Sequence, residues 1–198
     1  MLPVRPFPGK SLALRELKAD PCYVKIPPKE RRGIVEQAWS IGELAACDEY
    51  QKTMGSNDFR SIFEDRGVSV ETRNVDYVVG KQRYFSDYLS GKNRVTLYEK
   101  SIRLWAEENS LEYENACNLI LSHEYFHYLE CNGLGLTSRI YQVPMLRIGS
   151  LSLGRTGIHA LSEIGAHAFA RTYFEVFFSN TAHFMADNRV ECTKNCRS

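Results

Sequence analysis

The sequence predicts an α+β protein in which a small sheet packs on helices. Apolar residues recur at three- and four-residue spacing in several segments, which predicts helices, and short alternating segments between residues 68 and 98 predict strands. Of 198 residues, 43% are apolar and 12% aromatic, enough for a packed core. We expect an N-terminal arm and helix over residues 1–56, one domain over residues 57–180, and a C-terminal tail over residues 181–198.

Composition excludes several classes of protein. The chain carries 25 Lys and Arg against 24 Asp and Glu, so bulk charge argues against direct nucleic-acid binding. No apolar run approaches the ~18 residues of a transmembrane helix, and the N-terminus lacks a signal-peptide stretch. We therefore expect a cytoplasmic protein with no membrane partner. Its six scattered cysteines are then reduced thiols, and Cys192 and Cys196 lack the second close pair that a metal clip needs.

The first third of the chain divides into an arm and two helices. Residues 1–28 hold six of the seven prolines, which predicts an extended arm. Residues 29–54 have helical spacing of apolar residues, and a glycine-containing break follows them. A short helix over residues 58–65 ends at Gly67, as helices often do at a glycine.

Strands are expected in the middle of the chain and helices after it. Alternating patterns predict strands at 68–70, 75–79 and 94–98, with 84–89 forming either another strand or a helical turn. The later helices are expected at 99–108, 111–131 and 157–178. A long, glycine-rich, irregular connection is expected to join the last two, and connections of that length are usually functional.

The strongest motif is an HExxH inside the predicted helix 111–131. His123 and His127 are four residues apart, so both imidazoles lie on one helical face and can bind one metal ion. Glu124 follows the first histidine and can take a proton from water without binding the ion. The ordinary alternative is two surface histidines beside an unrelated glutamate.

A catalytic zinc ion needs a third protein ligand, and the last predicted helix offers one. This helix is apolar nearly all round, which predicts burial, yet His159, Glu163 and His167 form a polar stripe at four-residue spacing. A buried carboxylate needs a partner. For Glu163 that partner is either an arginine, such as Arg147, Arg155 or Arg171, or the metal.

The remaining polar residues near the motif leave more than one interpretation. His167 could donate a hydrogen bond to a developing oxyanion, could orient Glu163, or could be a hydrogen-bonded core histidine. His159 is a weaker candidate than His167 for a role in the site. Glu130, three residues after the motif, has the position of a solvated helix end, and we assign no role to it.

These motifs together resemble a known family. A strand ending in Thr96-Leu97-Tyr98, then the HExxH, then Glu163-Ile164-Gly165-Ala166 with Phe169-Ala170, is similar to the ImmA/IrrE family of small gluzincin-type zinc metallopeptidases. The resemblance covers residues 57–180. It implies a minimal gluzincin-like fold, a zinc ion held by His123, His127 and Glu163, an edge strand that binds extended peptide, and protein substrates such as transcriptional repressors.

The resulting expectation is a zinc-dependent metallopeptidase with Glu124 as its general base. The strand over residues 94–98 would offer its backbone to an extended substrate, and the connection over residues 132–157 would cover the cleft. Two alternatives remain open. One is a zinc-containing binding or regulatory module with the same fold and no peptidase activity, and the other is a structural protein with an accidental HExxH.

Overall fold

A computed structural model describes residues 8–148 and 151–195, with backbone alone at 147–148, 151–152 and 179–195. The fold is α+β. The helices are α1 Ala13–Ala19, α2 Pro28–Lys52, α3 Phe59–Asp65, α4 Glu99–Glu108, α5 Tyr113–Leu129 and α6 His159–Asn195. The strands are β1 Ser69–Arg73, β2 Tyr77–Val79, β3 Gln82–Tyr84, β4 Ser86–Leu89, β5 Arg94–Tyr98, β6 Gln142–Ile148 and β7 Leu151–Gly157. In the part of the chain that the structure describes, no helix is both long and apolar enough to cross a bilayer.

The central sheet is mixed, with the order β1-β5-β4. Strand β1 runs parallel to β5, with Ser69 opposite Arg94. Strand β4 runs antiparallel to β5, with Ser86 opposite Leu97. β5 is the buried middle strand, because both of its edges are paired. The other strands form two separate hairpins, β2–β3 and β6–β7.

The core between the sheet and the helices is built mainly from aromatic rings. Phe59 of α3 contacts Tyr125 of α5 and Tyr173 of α6 in edge-to-face geometry, with ring centroids 5.6 and 4.8 Å apart. Phe63 contacts Tyr125 in the same way at 5.2 Å. Such pairs add specificity to the area they bury. They fix α5 and α6, the two helices that carry the polar motif residues.

Two aspartates cap helices, and one of them connects distant segments. Asp58 caps α3 by accepting a hydrogen bond from the Ser61 amide at 3.1 Å. Asp20, which follows α1, accepts one from the Ala160 amide in the first turn of α6 at 3.0 Å. Amides in a first helical turn lack partners within the helix, so such caps stabilise both the helix and the contact between segments.

The structure corrects two expectations about irregular chain. The first 28 residues are not an extended arm throughout, because α1 forms there and buries Leu17 completely. Residues 132–157 are not an irregular connection, because most of them form the hairpin β6–β7. Apolar residues of this hairpin, Met145, Leu146 and Leu153, are exposed to solvent. The alternation of buried apolar and exposed polar residues that indicates a strand is therefore missing from its sequence.

Other elements agree with the sequence to within a few residues. The helices expected at 29–54, 58–65 and 99–108 are present, and the strand at 94–98 has the expected bounds. The last helix starts close to its expected position but continues past residue 178 to Asn195. Residues 1–7 and the end of the expected tail, 196–198, lie outside the described residues.

Helices α2 and α6 approach so closely that their backbones touch. A Cβ atom added at Gly42 would lie 2.1 Å from the carbonyl oxygen of Gly165 and 2.9 Å from the amide nitrogen of Phe169. Because backbone atoms of a buried helix cannot move aside cheaply, position 42 excludes every side chain. Gly33, on the exposed side of the same helix, has no such neighbour.

These two glycines give a matched test of the packing. We expect Gly42→Ala to lower the free energy of unfolding by about 1–3 kcal/mol, since the added methyl group overpacks the contact. Gly33→Ala should raise it by roughly 0.5–1 kcal/mol, because alanine is the better helix former in open space. Urea unfolding followed by circular dichroism measures both. Equal effects of the two substitutions would contradict this packing.

Candidate metal centre

The HExxH motif lies within α5, as the sequence predicts. Nε2 of His123 and Nε2 of His127 are 3.3 Å apart, and the two rings approach edge to face. The four-residue spacing on one helical turn produces this proximity. Both rings line the same cleft.

Helix α6 brings a carboxylate to the two histidines. Glu163 Oε2 lies 3.3 Å from His123 Nε2, and Glu163 Oε1 lies 3.6 Å from His127 Nε2. Ligand atoms held at 2.0–2.2 Å from a tetrahedral zinc ion are roughly 3.3–3.6 Å from each other. Each of the three separations among His123, His127 and Glu163 lies in this range, with the two histidines facing different oxygens of the Glu163 carboxylate.

His167 lies one turn further along α6 and also approaches the site. His123, Glu163 and His167 each offer a ligand atom within 4.8 Å of the other two, so this triad could hold a metal ion. The His167 ring centroid is 5.1 Å from that of His123. Two ligand sets are therefore possible. Both contain His123 and Glu163, and the third ligand is His127 in one set and His167 in the other.

Arginines do not pair with Glu163 in the described residues. Arg171 bonds to Glu175 at 3.1 Å, and Arg155 donates to the Gln142 carbonyl oxygen. A buried arginine pair therefore does not explain Glu163 for Arg155 or Arg171, and the side chain of Arg147 lies outside the described residues. The carboxylate instead lies among histidines, where a cation would offset its charge.

Glu130 has a role that the sequence analysis missed. It is buried, and its Oε2 lies 3.0 Å from His127 Nδ1 while its Oε1 accepts from the Thr137 amide at 2.8 Å. Ser162 donates to the same carboxylate. Glu130 is thus not a solvated helix end, because a wide turn over Glu130–Leu134 folds the chain back across it. Its three-residue spacing from His127 was the available signal.

A carboxylate on the far nitrogen of a metal-binding histidine fixes the ring and raises its basicity. Glu130 is placed to do this for His127, since its bond to Nδ1 leaves Nε2 directed at His123 and Glu163. Ser162 and Thr137 hold the Glu130 carboxylate in turn. The site is therefore supported from behind by α6 and by the turn after α5.

Glu124 also faces the cleft. It is buried, and its Oε1 accepts a hydrogen bond from Ser86 Oγ at 2.6 Å. Ser86 is the first residue of β4. The edge strand and the motif helix are thus tied together at the residue expected to move a proton.

The cleft around these residues has a volume of about 740 Å³. The residues preceding and forming β4 make one wall, α5 and α6 make the floor, and α1 contributes Glu16. Aromatic side chains line it at Tyr84, Phe85, Tyr88 and Trp105. His159 lines the cleft from the exposed start of α6, and His183 lies beyond the residues whose side chains are described.

The strand over residues 94–98 has no free edge for an extended substrate, contrary to the expectation from the sequence. Residues 94–98 form β5, whose two edges are already paired with β1 and β4. The strand at the cleft is β4, with Ser86, Asp87 and Tyr88 among the lining residues. Within the described chain β4 has one paired neighbour, so its outer edge remains for another strand.

Charge and burial shift the pKa values in the site in opposite directions. Burial alone would raise the pKa of Glu163, but the hydrogen bond from His123 and the charges of the three histidines hold it well below its usual range. Burial alone would lower the pKa of His127, but the hydrogen bond to Glu130 and the surrounding carboxylates raise it to about 9. Burial, with the nearby charge of His123, lowers the pKa of His167 to about 3.

The four cysteines whose side chains are described, Cys22, Cys47, Cys117 and Cys131, are free thiols, as expected. Cys192 and Cys196 lie outside the residues whose side chains are described.

Comparisons with protein families, with curated proteins and with solved structures found no match. The site is therefore interpreted from its own geometry.

The raised pKa of His127 predicts a pH dependence of metal binding. A metal ligand must be a neutral imidazole, so at pH 7 the ion displaces a proton from His127. The apparent zinc affinity should rise about tenfold per pH unit from pH 7 to about 9 and then level off, since one proton is displaced. Competition against a chromophoric chelator of known proton affinity measures this.

Glu130→Gln is the matched control for that experiment. It keeps the size of the side chain but removes the charge that retains the proton on His127, so the plateau should begin at a lower pH. A zinc affinity of the wild-type protein that is independent of pH above 7 would show that His127 carries no proton to displace, or that it is not a ligand.

Proposed function

We propose that the protein is a zinc-dependent metallopeptidase of minimal gluzincin-like fold that hydrolyses peptide bonds of a protein substrate. The observation that carries the proposal is the spacing of His123, His127 and Glu163, at 3.3–3.6 Å between ligand atoms, with Glu124 in the same cleft. Two imidazoles and one carboxylate are a ligand set that zinc uses in catalytic sites, where a fourth position stays open.

The chemistry divides between the ion and the chain. Bound zinc would polarise the scissile carbonyl group and lower the pKa of a water molecule in the site toward ~7. Glu124 would accept the proton from that water and later pass it to the leaving amine. The hydrogen bond from Ser86 orients the Glu124 carboxylate.

His167 would stabilise the negative charge that develops on the carbonyl oxygen. With a pKa lowered to about 3, its imidazole is neutral at pH 7, and a neutral ring carries one N–H donor. Donors of this kind, held in place before the reaction, stabilise an oxyanion at little reorganisation cost. The ring already lines the cleft beside His123.

The substrate would bind as an extended strand along the outer edge of β4. Backbone hydrogen bonds to a sheet edge hold a peptide without regard to its side chains, and the cleft then selects among side chains. β4 runs past Glu124, because Ser86 at its start bonds to that residue. The resemblance to the ImmA/IrrE family implies a protein substrate, such as a transcriptional repressor, of which an extended segment would bind in the cleft.

Glu124→Gln tests the mechanism directly. Glutamine keeps the size and can still accept a hydrogen bond from Ser86, but it cannot accept a proton. We expect full zinc content by mass spectrometry and a loss of cleavage of about 10²–10⁴-fold, since that is the usual contribution of a general base. Products from a random decapeptide library, identified by mass spectrometry, report cleavage.

Glu114→Gln is the control, because Glu114 is an exposed residue of the same helix and the chemical change is identical. It should retain wild-type cleavage and zinc content. Equal cleavage by wild type and Glu124→Gln would refute the assigned role of Glu124. Zinc in both proteins with cleavage by neither would favour a non-proteolytic, zinc-containing binding module with the same fold.

A further inference from the structure

Glu16 reaches the cleft from a segment outside the motif helices. It lies on α1, one residue before Leu17, which is fully buried. α1 packs against α2 and α6, and Asp20 just after it caps α6 through the Ala160 amide. These contacts fix the helix, so the half-buried Glu16 side chain forms part of the cleft wall rather than a mobile surface residue.

The carboxylate of Glu16 makes no hydrogen bond or ion pair with the described residues. Burial and the nearby charge of Glu163 raise its pKa, and the opposing effect of His123 does not offset them. Of the described residues lining the cleft, Arg83 alone carries a permanent positive charge. Arg83 makes two hydrogen bonds to Asp76, at 2.8 and 3.2 Å, and is therefore already neutralised.

A metal ion would not remove this excess of negative charge. A divalent ion offsets the charges of Glu163 and Glu124, which lie at the ligand site, and leaves Glu16 and Asp87 at the cleft wall. Asp87 accepts a hydrogen bond from the Tyr98 hydroxyl at 3.1 Å. Among the described residues, Glu16 is thus a half-buried carboxylate with no hydrogen-bond donor and no permanent positive charge paired to it, an arrangement that costs stability unless a ligand supplies them.

We propose that Glu16 forms a cation-selective subsite of the cleft, which binds a positively charged group of the peptide substrate. The group is an alkylammonium, guanidinium or free α-amino group. Phe85 and Trp105, whose rings lie 5.5 Å apart in the same cleft, offer apolar and π surface to the stem of a lysine or arginine. This inference rests on the proposed function, because it names the class of peptide that the peptidase would take.

The experiment measures peptide binding separately from cleavage. The zinc-loaded Glu124→Gln protein is immobilised and exposed to two decapeptide libraries that differ at one fixed position, lysine or norleucine. Norleucine has the same carbon chain without the amine. Each library is prepared with a free and with an acetylated N-terminus. Retained peptides are counted by mass spectrometry.

We expect lysine peptides to be retained about tenfold to a hundredfold over norleucine peptides, which corresponds to one hydrogen bond between charged groups. If the free α-amino group is the cation, the free N-terminus gives that preference instead and acetylation removes it. Adding Glu16→Gln should abolish the preference. Adding Glu64→Gln, which changes an exposed residue of α3 away from the cleft, should leave it intact.

Equal retention of charged and uncharged libraries, including retention of neither, would overturn the inference. A preference that persists in Glu16→Gln would overturn it as well. Failure of the peptidase proposal has a different signature, namely zinc-loaded wild-type protein that cleaves no library. Because retention is measured in a protein that does not need to turn over, that failure does not alter the retention ratio.

Discussion

The site depends on a close approach of α6 to its two neighbours at Gly165. A Cβ atom at this position would lie 2.6 Å from Cζ of Phe126 on α5 and 3.5 Å from the Ala38 carbonyl oxygen on α2. Phe126 is fully buried and precedes His127, so the same contact sets the distance between the motif helix and α6. Glu163 and His167 flank Gly165 by two residues each. Any side chain at Gly165 would push the carboxylate away from the histidines.

The acidic side chains of the site differ in whether nearby protein groups hydrogen-bond to them and offset their charge. Glu130 is buried, but it accepts hydrogen bonds from Thr137 and Ser162 and contacts His127. Its carboxylate therefore stabilises the fold without a bound ligand. Glu163 has histidines around it, and Glu16 makes no ion pair with the described residues. Local arrangements that cost stability without an evident structural return are typical of functional sites. No arginine or lysine of the described residues pairs with either of these carboxylates, and a bound cation would offset their charge.

The sequence predicts the site where its signal is local and fails where the contact is long-range. The four-residue spacing of His123 and His127, and the polar stripe on an apolar helix, follow from helical geometry alone and are present in the structure. The choice of β5 as the substrate strand was wrong, because strand order within a sheet depends on tertiary pairing. Glu16 was missed for the same reason, since nothing near it in the chain indicates that α1 reaches the cleft.

The central claim is that α5 and α6 together form one zinc site, and an anomalous-scattering crystal structure of the zinc-loaded protein tests it most directly. The account predicts one peak in the cleft about 2.0–2.2 Å from Nε2 of His123, Nε2 of His127 and a carboxylate oxygen of Glu163. His167 should lie near the ion without displacing His127. A peak held by His167 in place of His127 would contradict the ligand assignment. Absence of any peak in the cleft at full zinc loading would contradict the site itself.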